Sequence, residues 1–343
     1  MKLANIVTAG MPALRQQYHL NHYQDQALTA ITNCRTANLG STVMHCLDCS
    51  TRQIRHRSCS HRSCPQCQHH SNTDWLERQR DKRLPVNYFM VTFTLPAQLR
   101  PLAYANPKQV YNVLFQTALS TLNTFANNHP QLQGQIGACA VLHTHSRQLN
   151  YHPHVHAIVP AIAVNPSRKH YRILKGDYLF NHRNLAAVFR ARMLEQLNQL
   201  QLDIPPSMPA QWNVNCTHVG KGLPAIEYLS RYLYRGVISE RDILHYDQDT
   251  VTFRYRQASS GESKQLTLPI ADFLWRIAMQ VLPKGFRRVR DYGFLHANAG
   301  SRLLLLQLLM QVDIPARNDR PPTPFTCRHC HRPMRPGRSI PPR

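Results

Sequence analysis

The chain has 343 residues, 43% of them hydrophobic, which suits two or three domains with real cores and excludes wholesale disorder. Lys and Arg number 41 against 18 Asp and Glu, a formal net charge of +23. Self-repulsion of that size is relieved by a polyanion, so nucleic acid is the expected partner, ahead of an anionic membrane surface.

The first 20 residues lack the apolar stretch of a signal peptide. The ten Cys are therefore expected in a reducing, cytoplasmic setting, where clustered thiols mean metal more often than disulfides. Six of them fall within residues 1–70. Residues 71–85 are charged and helix-like, a connector. YFMVTFTLP, 88–96, is β-branched and aromatic and stops at Pro96, which predicts a strand. Residues 107–127 put Val110, Leu114, Ala118, Leu122 and Phe125 at helical spacing. Two strand-like runs follow, 137–145 and 151–164, then a helix over 184–200 and a strand over 211–219. Residues 224–235 read as a helix with Pro in its first turn, and 250–257 with 264–270 as a hairpin around SSGES. The most apolar run, 303–310 (LLLLQLLM), is far short of the ~20 residues of a membrane span and reads as a buried helix. After Pro315 the tail is rich in Pro and Arg and is expected to be extended.

Cys46-x2-Cys49 is followed, after fourteen residues, by Cys64-x2-Cys67. Each CxxC turns two thiolates toward one centre, and two pairs with this gap predict a closed tetrahedral Zn²⁺ site whose job is folding. Cys34 and Cys59 are left over, with His61 and other histidines nearby, for a second zinc. Cys327-x2-Cys330 is half of a site, for which docking on Cys34 and Cys59 is one reading. It also spells the haem-attachment pattern C-x-x-C-H, but that chemistry needs export.

Tyr151-His-Pro-His-Val-His156 carries the chemistry. Alternate side chains of a strand share a face, so His154 and His156 point together while Val155 turns to the core. Two imidazoles so held predict a metal chelate. Pro153 cannot donate to a ladder, so the regular strand is expected to begin after it. Downstream, Tyr228 and Tyr232 are four apart on one helical face, with Arg231 and Arg235 alongside and Tyr234 off that face. Alone, such a stripe reads as packing. Beside a metal-binding strand in a cationic chain it reads as nucleophiles, because a phenol of pKa about 10 needs a polarised phosphate and nearby Arg to react.

These pieces together resemble the two-tyrosine, His-hydrophobic-His rolling-circle transposases of bacterial insertion sequences. The likeness starts at Cys34-Arg-Thr and runs through the CxxC pair, SCSHRSCPQC, YFMVTFTLP and VLHTHSRQLNYHPHVHAIV. It continues through VFRARMLEQL to YLSRYLYRGVIS and LPKGFRRVRDYGFL. Ser63 departs from the pattern, since the family usually has His just before the second CxxC.

The resemblance implies an α+β fold, with an N-terminal zinc-binding, DNA-binding domain and connector over 1–85. A nuclease domain follows over 86–315, a central antiparallel sheet flanked by helices with the histidine strand in its middle and the tyrosine helix over it. A basic tail takes 316–343. The resemblance implies His154 and His156 as ligands of Mg²⁺ or Mn²⁺, and Tyr228 and Tyr232 as nucleophiles on single-stranded DNA at element ends and target. It also implies a third ligand from the neighbouring strand: His143, one hairpin away, with His145 and His152 as alternatives. Such a protein works on the bacterial nucleoid. A plasmid or phage replication initiator shares the chemistry, and a non-catalytic zinc DNA-binding protein is the rival of another class.

Overall fold

The computed structural model describes residues 2–67, 75–165, 170–221, 224, 227, 238–257, 260–313 and 324–342. In chain order the first elements are α1 (Leu3–Gln17), α2 (His22–Asn33), β1 (Ser41–Cys46), β2 (Arg52–His56) and β3 (Asn87–Thr94). Then come α3 (Arg100–Ala105), α4 (Pro107–Asn128), β4 (Gln135–Ile136), β5 (Ala138–His145), β6 (Tyr151–Pro160), β7 (Ile162–Asn165) and β8 (His170–Ile173). The remainder are α5 (His182–Gln199), β9 (Val214–Lys221), β10 (Ile243–Tyr246), β11 (Thr250–Arg256), β12 (Ser263–Pro269), α6 (Ile270–Ala278), β13 (Val289–Tyr292), α7 (Gly300–Leu309) and β14 (Met334–Ile340). Residues 75–80 are also helical.

Two compact units form, and neither is contiguous. One joins Asp74–Tyr234 to Leu282–Asp313; the other joins Met1–Thr73, Arg235–Val281 and Ile314–Arg343. The divisions expected from the sequence, 1–85, 86–315 and 316–343, follow chain order, whereas the units cross it.

The first unit is built on a five-stranded antiparallel sheet in the order β13-β5-β6-β3-β9, with the histidine strand β6 at its centre. Alternation decides its faces. Phe89, Val91 and Phe93 of β3 and Val155, Ala157 and Val159 of β6 turn to one side. There they form a single core with α4 and α5, including Val110, Leu114, Ala118, Leu122, Phe189 and Met193. On the other face, Cys139, Val141 and Ile158 pack with Phe294, Leu295, Leu303 and Leu306.

Two expectations fail in this unit. The strand β6 runs through Pro153: His143 pairs with His154 and His145 with Tyr151, so His152 and Pro153 together oppose Thr144 in a bulge. A bulge is where a residue without an N–H fits. The helix of leucines is buried along one stripe only. Leu303 and Leu306 are buried, while Leu304, Leu305, Leu308 and Leu309 are 50–65% exposed, because leucines placed all round a helix cannot all face one core.

In the second unit α1 packs on α6. Gly10 allows the close approach, since a Cβ there would lie 2.6 Å from Leu274 and 2.7 Å from Ile270. Tyr18 stacks on Trp275 at 4.6 Å and donates to Asp272 Oδ1 at 2.7 Å. An Asn21–Gln24 capping box starts α2. The predicted hairpin is present as β11 and β12, extended by β10. A three-stranded sheet, β14-β1-β2, ties the tail to the N-terminal strands.

Candidate active site and metal centres

The register of the central sheet assembles the histidine site. His154 and His156 share a face of β6, and His143 of β5 lies directly across from His154. The ring centroids are 4.8 Å apart for His154–His156, 4.7 Å for His143–His156 and 5.3 Å for His143–His154. One nitrogen from each of the three falls within 4.8 Å of the others.

Hydrogen bonds prepare the rings. His154 Nδ1 lies 2.6 Å from the carbonyl oxygen of His152, which only accepts. Nδ1 therefore carries the proton and Nε2 presents its lone pair. His156 Nδ1 lies 2.9 Å from Thr92 Oγ1, across the ladder on β3, which can accept that proton in the same way. Burial, with smaller effects from His152 and Arg288, drives His154 down to about 4. Burial and then His154 drive His156 down to about 3. Both imidazoles are thus neutral at physiological pH, as ligation requires. Three imidazole nitrogens converging at this distance fit a divalent cation.

His152 and His145 are not in this group of three, although the His152 ring lies 5.2 Å from that of His154. His152 Nδ1 accepts from Arg100 Nη2 at 2.8 Å. His145 Nδ1 is 3.0 Å from Thr144 Oγ1, and its ring lies 5.5 Å from that of Tyr151. Thr92, Arg100 and Arg288 were not singled out in the sequence. Thr92 needed the β3–β6 register to be found, whereas Arg288 sits in the visibly basic run 284–290.

The tyrosine helix lies mostly outside the described residues, which exclude Tyr228, Arg231, Tyr232, Tyr234 and Arg235. Glu227, just before Tyr228, is helical and is paired with Arg80 Nη2 at 2.8 Å. Two other phenols near the histidine strand are poor nucleophiles. Tyr111 and Tyr151 hydrogen-bond each other at 2.6 Å, and burial raises both, Tyr111 to about 12.

Eight of the ten cysteines gather in two groups of four, and the grouping corrects the expectation. Cys46 and Cys49 do not join Cys64 and Cys67. Cys64 and Cys67 meet Cys34 and Cys59, and the tail pair Cys327–Cys330 docks on Cys46 and Cys49 rather than on Cys34 and Cys59. Spacing fixes which thiols share a turn but not which turns meet. In the first group, Cys34 and Cys59 lie 3.5 Å and 3.6 Å from Cys67, sulfur to sulfur. Tetrahedral Zn–S bonds of about 2.3 Å put sulfurs ~3.8 Å apart, close to these values, whereas a disulfide needs about 2.0 Å. His61 serves this loop by accepting the Ser63 N–H at 3.2 Å, and is not among the four.

Comparison with known proteins gives the chain its place. Residues 137–302 match a family model described as "Putative transposase", and residues 6–95 match one described as "Transposase zinc-binding domain". A protein of Sinorhizobium fredii named "Putative transposase y4qJ" is 32% identical, over 93% of this chain and 86% of its own. The "Transposase for insertion sequence element IS801" of Pseudomonas savastanoi pv. phaseolicola is 27% identical, over 85% and 76%. Among solved structures, the conjugative relaxase TrwC in complex with OriT DNA aligns at 14% identity and TM-score 0.29, over 65% of this chain and 73% of that one. No helix among the described residues is long and apolar enough to cross a membrane. Two transposase domains along the chain, a relative alike over nearly its whole length and the histidine strand at the centre of its sheet agree: the chain belongs to the two-tyrosine, His-hydrophobic-His rolling-circle transposases of insertion sequences, enzymes that cut and rejoin single-stranded DNA.

Proposed function

We propose that this transposase breaks the phosphodiester at an element end with Tyr228 and Tyr232 as nucleophiles, while His143, His154 and His156 hold Mn²⁺ or Mg²⁺. The observation that carries the reading is the convergence of three imidazoles, His154 and His156 from the central strand and His143 from the strand beside it. An all-imidazole donor set suits Mn²⁺ better than the harder Mg²⁺. The ion, when bound, supplies Lewis acidity and orientation to the scissile phosphate.

The chain's own groups do the rest. A tyrosine oxygen attacks phosphorus, the P–O3′ bond breaks, and the departing 3′ oxygen takes up the proton that the phenol gave up. A 5′-phosphotyrosine and a free 3′-OH result. Because one phosphodiester replaces another, a 3′-OH attacking later reverses the step without ATP. Arg231 and Arg235, whose spacing from the tyrosines would set them alongside on a helix, offset phosphate charge. A second tyrosine lets the enzyme hold one end while it opens another. Cys34, Cys59, Cys64 and Cys67 hold a zinc whose role is folding, since four thiolates leave no open position.

The test uses the purified chain and single-stranded oligonucleotides carrying the element end. Site-specific nicking with Mn²⁺, lost in His154→Ala, is the expected result. Nicking that survives His154→Ala, or that requires duplex DNA, overturns the reading.

A further inference from the structure

We propose that Cys46, Cys49, Cys327 and Cys330 form a second structural zinc site, which clasps the tail to the N-terminal strands. Neither matched stretch, 6–95 or 137–302, reaches Cys327. Cys46 and Cys330 are 284 positions apart, yet their sulfurs lie 3.4 Å from each other, and Cys49 and Cys327 lie 3.6 Å apart. All four sulfurs fall within 4.8 Å of one another.

The two CxxC turns are built alike. The N–H of Cys46 donates to the Thr51 carbonyl at 2.9 Å, and the N–H of Cys327 donates to the Arg332 carbonyl at 2.8 Å, five residues on in each case. The residue after the second cysteine takes a left-handed conformation in both, Ser50 at φ 57° and His331 at φ 59°. Non-glycine residues hold that conformation only where the surroundings impose it. Arg35 and Ser60, which follow Cys34 and Cys59 in the other cluster, do the same at φ 60° and 50°.

Donors also point at the sulfurs. The His329 N–H lies 3.4 Å from Cys327 Sγ and Gln53 Nε2 lies 4.0 Å from it. Cys49 Sγ also lies 3.1 Å from the Thr51 hydroxyl. Apolar cover comes from Met44 and Met334, with Phe325 against them. Four thiols gathered by two matched knuckles, with donors aimed at them, make a closed tetrathiolate site that suits Zn²⁺.

The clasp orders strand β14, which pairs with β1 from Ser41–Ile340 to Cys46–Met334. It also sets Arg335 opposite His45, itself opposite Arg52, in one row across the sheet. A tail without metal would leave Arg335 on a loose segment, away from that register.

The test is metal content and cysteine reactivity of the full-length chain purified under reducing conditions. Elemental analysis should give two zinc per chain, falling to one in Cys327→Ser/Cys330→Ser. Differential alkylation of the unmodified chain avoids any folding defect of that variant. On stepwise chelation Cys46, Cys49, Cys327 and Cys330 should become reactive together, in a step distinct from Cys34, Cys59, Cys64 and Cys67. One zinc per chain, or Cys327 and Cys330 reacting while Cys46 and Cys49 stay protected, overturns the proposal.

Discussion

The chain gathers metal ligands twice over by opposite means. In the Asp74–Tyr234 unit, three histidines come from two adjacent strands, and the ladder alone brings them together: His143 faces His154, and His156 is two residues on. In the other unit, each four-cysteine group draws its thiols from separated turns, one of them reaching from Cys46 to Cys330. The first arrangement offers three imidazole nitrogens and leaves coordination positions open, as the proposed chemistry requires. The second surrounds an ion completely and makes folding depend on it. Ligand number and type separate the chemical metal from the structural one.

That contrast can be broken most sharply at the tyrosines. Tyr228→Phe/Tyr232→Phe should form no covalent adduct with DNA, while each single variant keeps some nicking and fails at complete transposition. Zinc content should be unchanged in all three. An adduct in the double variant, mapped to Tyr234, shows that the wrong pair was chosen.

Next in size is removal of a histidine. His156→Ala should lower cleavage more than about 100-fold, beyond the 10–100-fold typical of outer-shell changes. DNA affinity, which rests on distributed positive charge, should change little. A filter-binding and cleavage pair of assays decides it.

Thr92 sharpens the account of how the site is prepared. Thr92→Val removes the partner of His156 Nδ1 and should weaken Mn²⁺ binding about 10-fold, with Thr92→Ser restoring it. Calorimetric titration with Mn²⁺ reads this directly, and equal affinities for Val and Thr would exclude a positioning role.

The smallest effect concerns pH. Burial depresses His154 to about 4 and His156 to about 3, so the unfolded chain binds protons more readily than the folded one. Their contribution to stability is complete above about 6.5, the free imidazole value, and fades as pH falls from there toward 3. With the histidine cluster metal-free, the thermal midpoint of the histidine unit should drop over that window. Substituting both histidines by Gln should flatten the drop.

How much of this was legible depends on how local the cause is. The two-residue alternation of strand β6 put His154 and His156 on one face, and the family resemblance pointed to His143, one hairpin away, as the third of the group. Thr92 stayed hidden because its role depends on β3 lying on the far side of β6, which no local pattern states. The cysteine turns were visible one by one, but their pairing depends on the tail returning to β1. The same blindness to return paths joined 250–270 to the nuclease stretch, whereas α6 packs on α1 across Gly10. In α7 a continuous run of Leu hid the fact that only one stripe is covered.

One measurement reaches the central claim. Zinc-loaded protein, stripped of exchangeable metal by mild chelation, is incubated with single-stranded DNA carrying the element end, with and without added Mn²⁺, and any covalent adduct is mapped by peptide mass spectrometry. The account predicts no adduct until Mn²⁺ is added, and then DNA attached to Tyr228 or Tyr232 with zinc content constant. An adduct formed without Mn²⁺, or attached elsewhere in the chain, contradicts it.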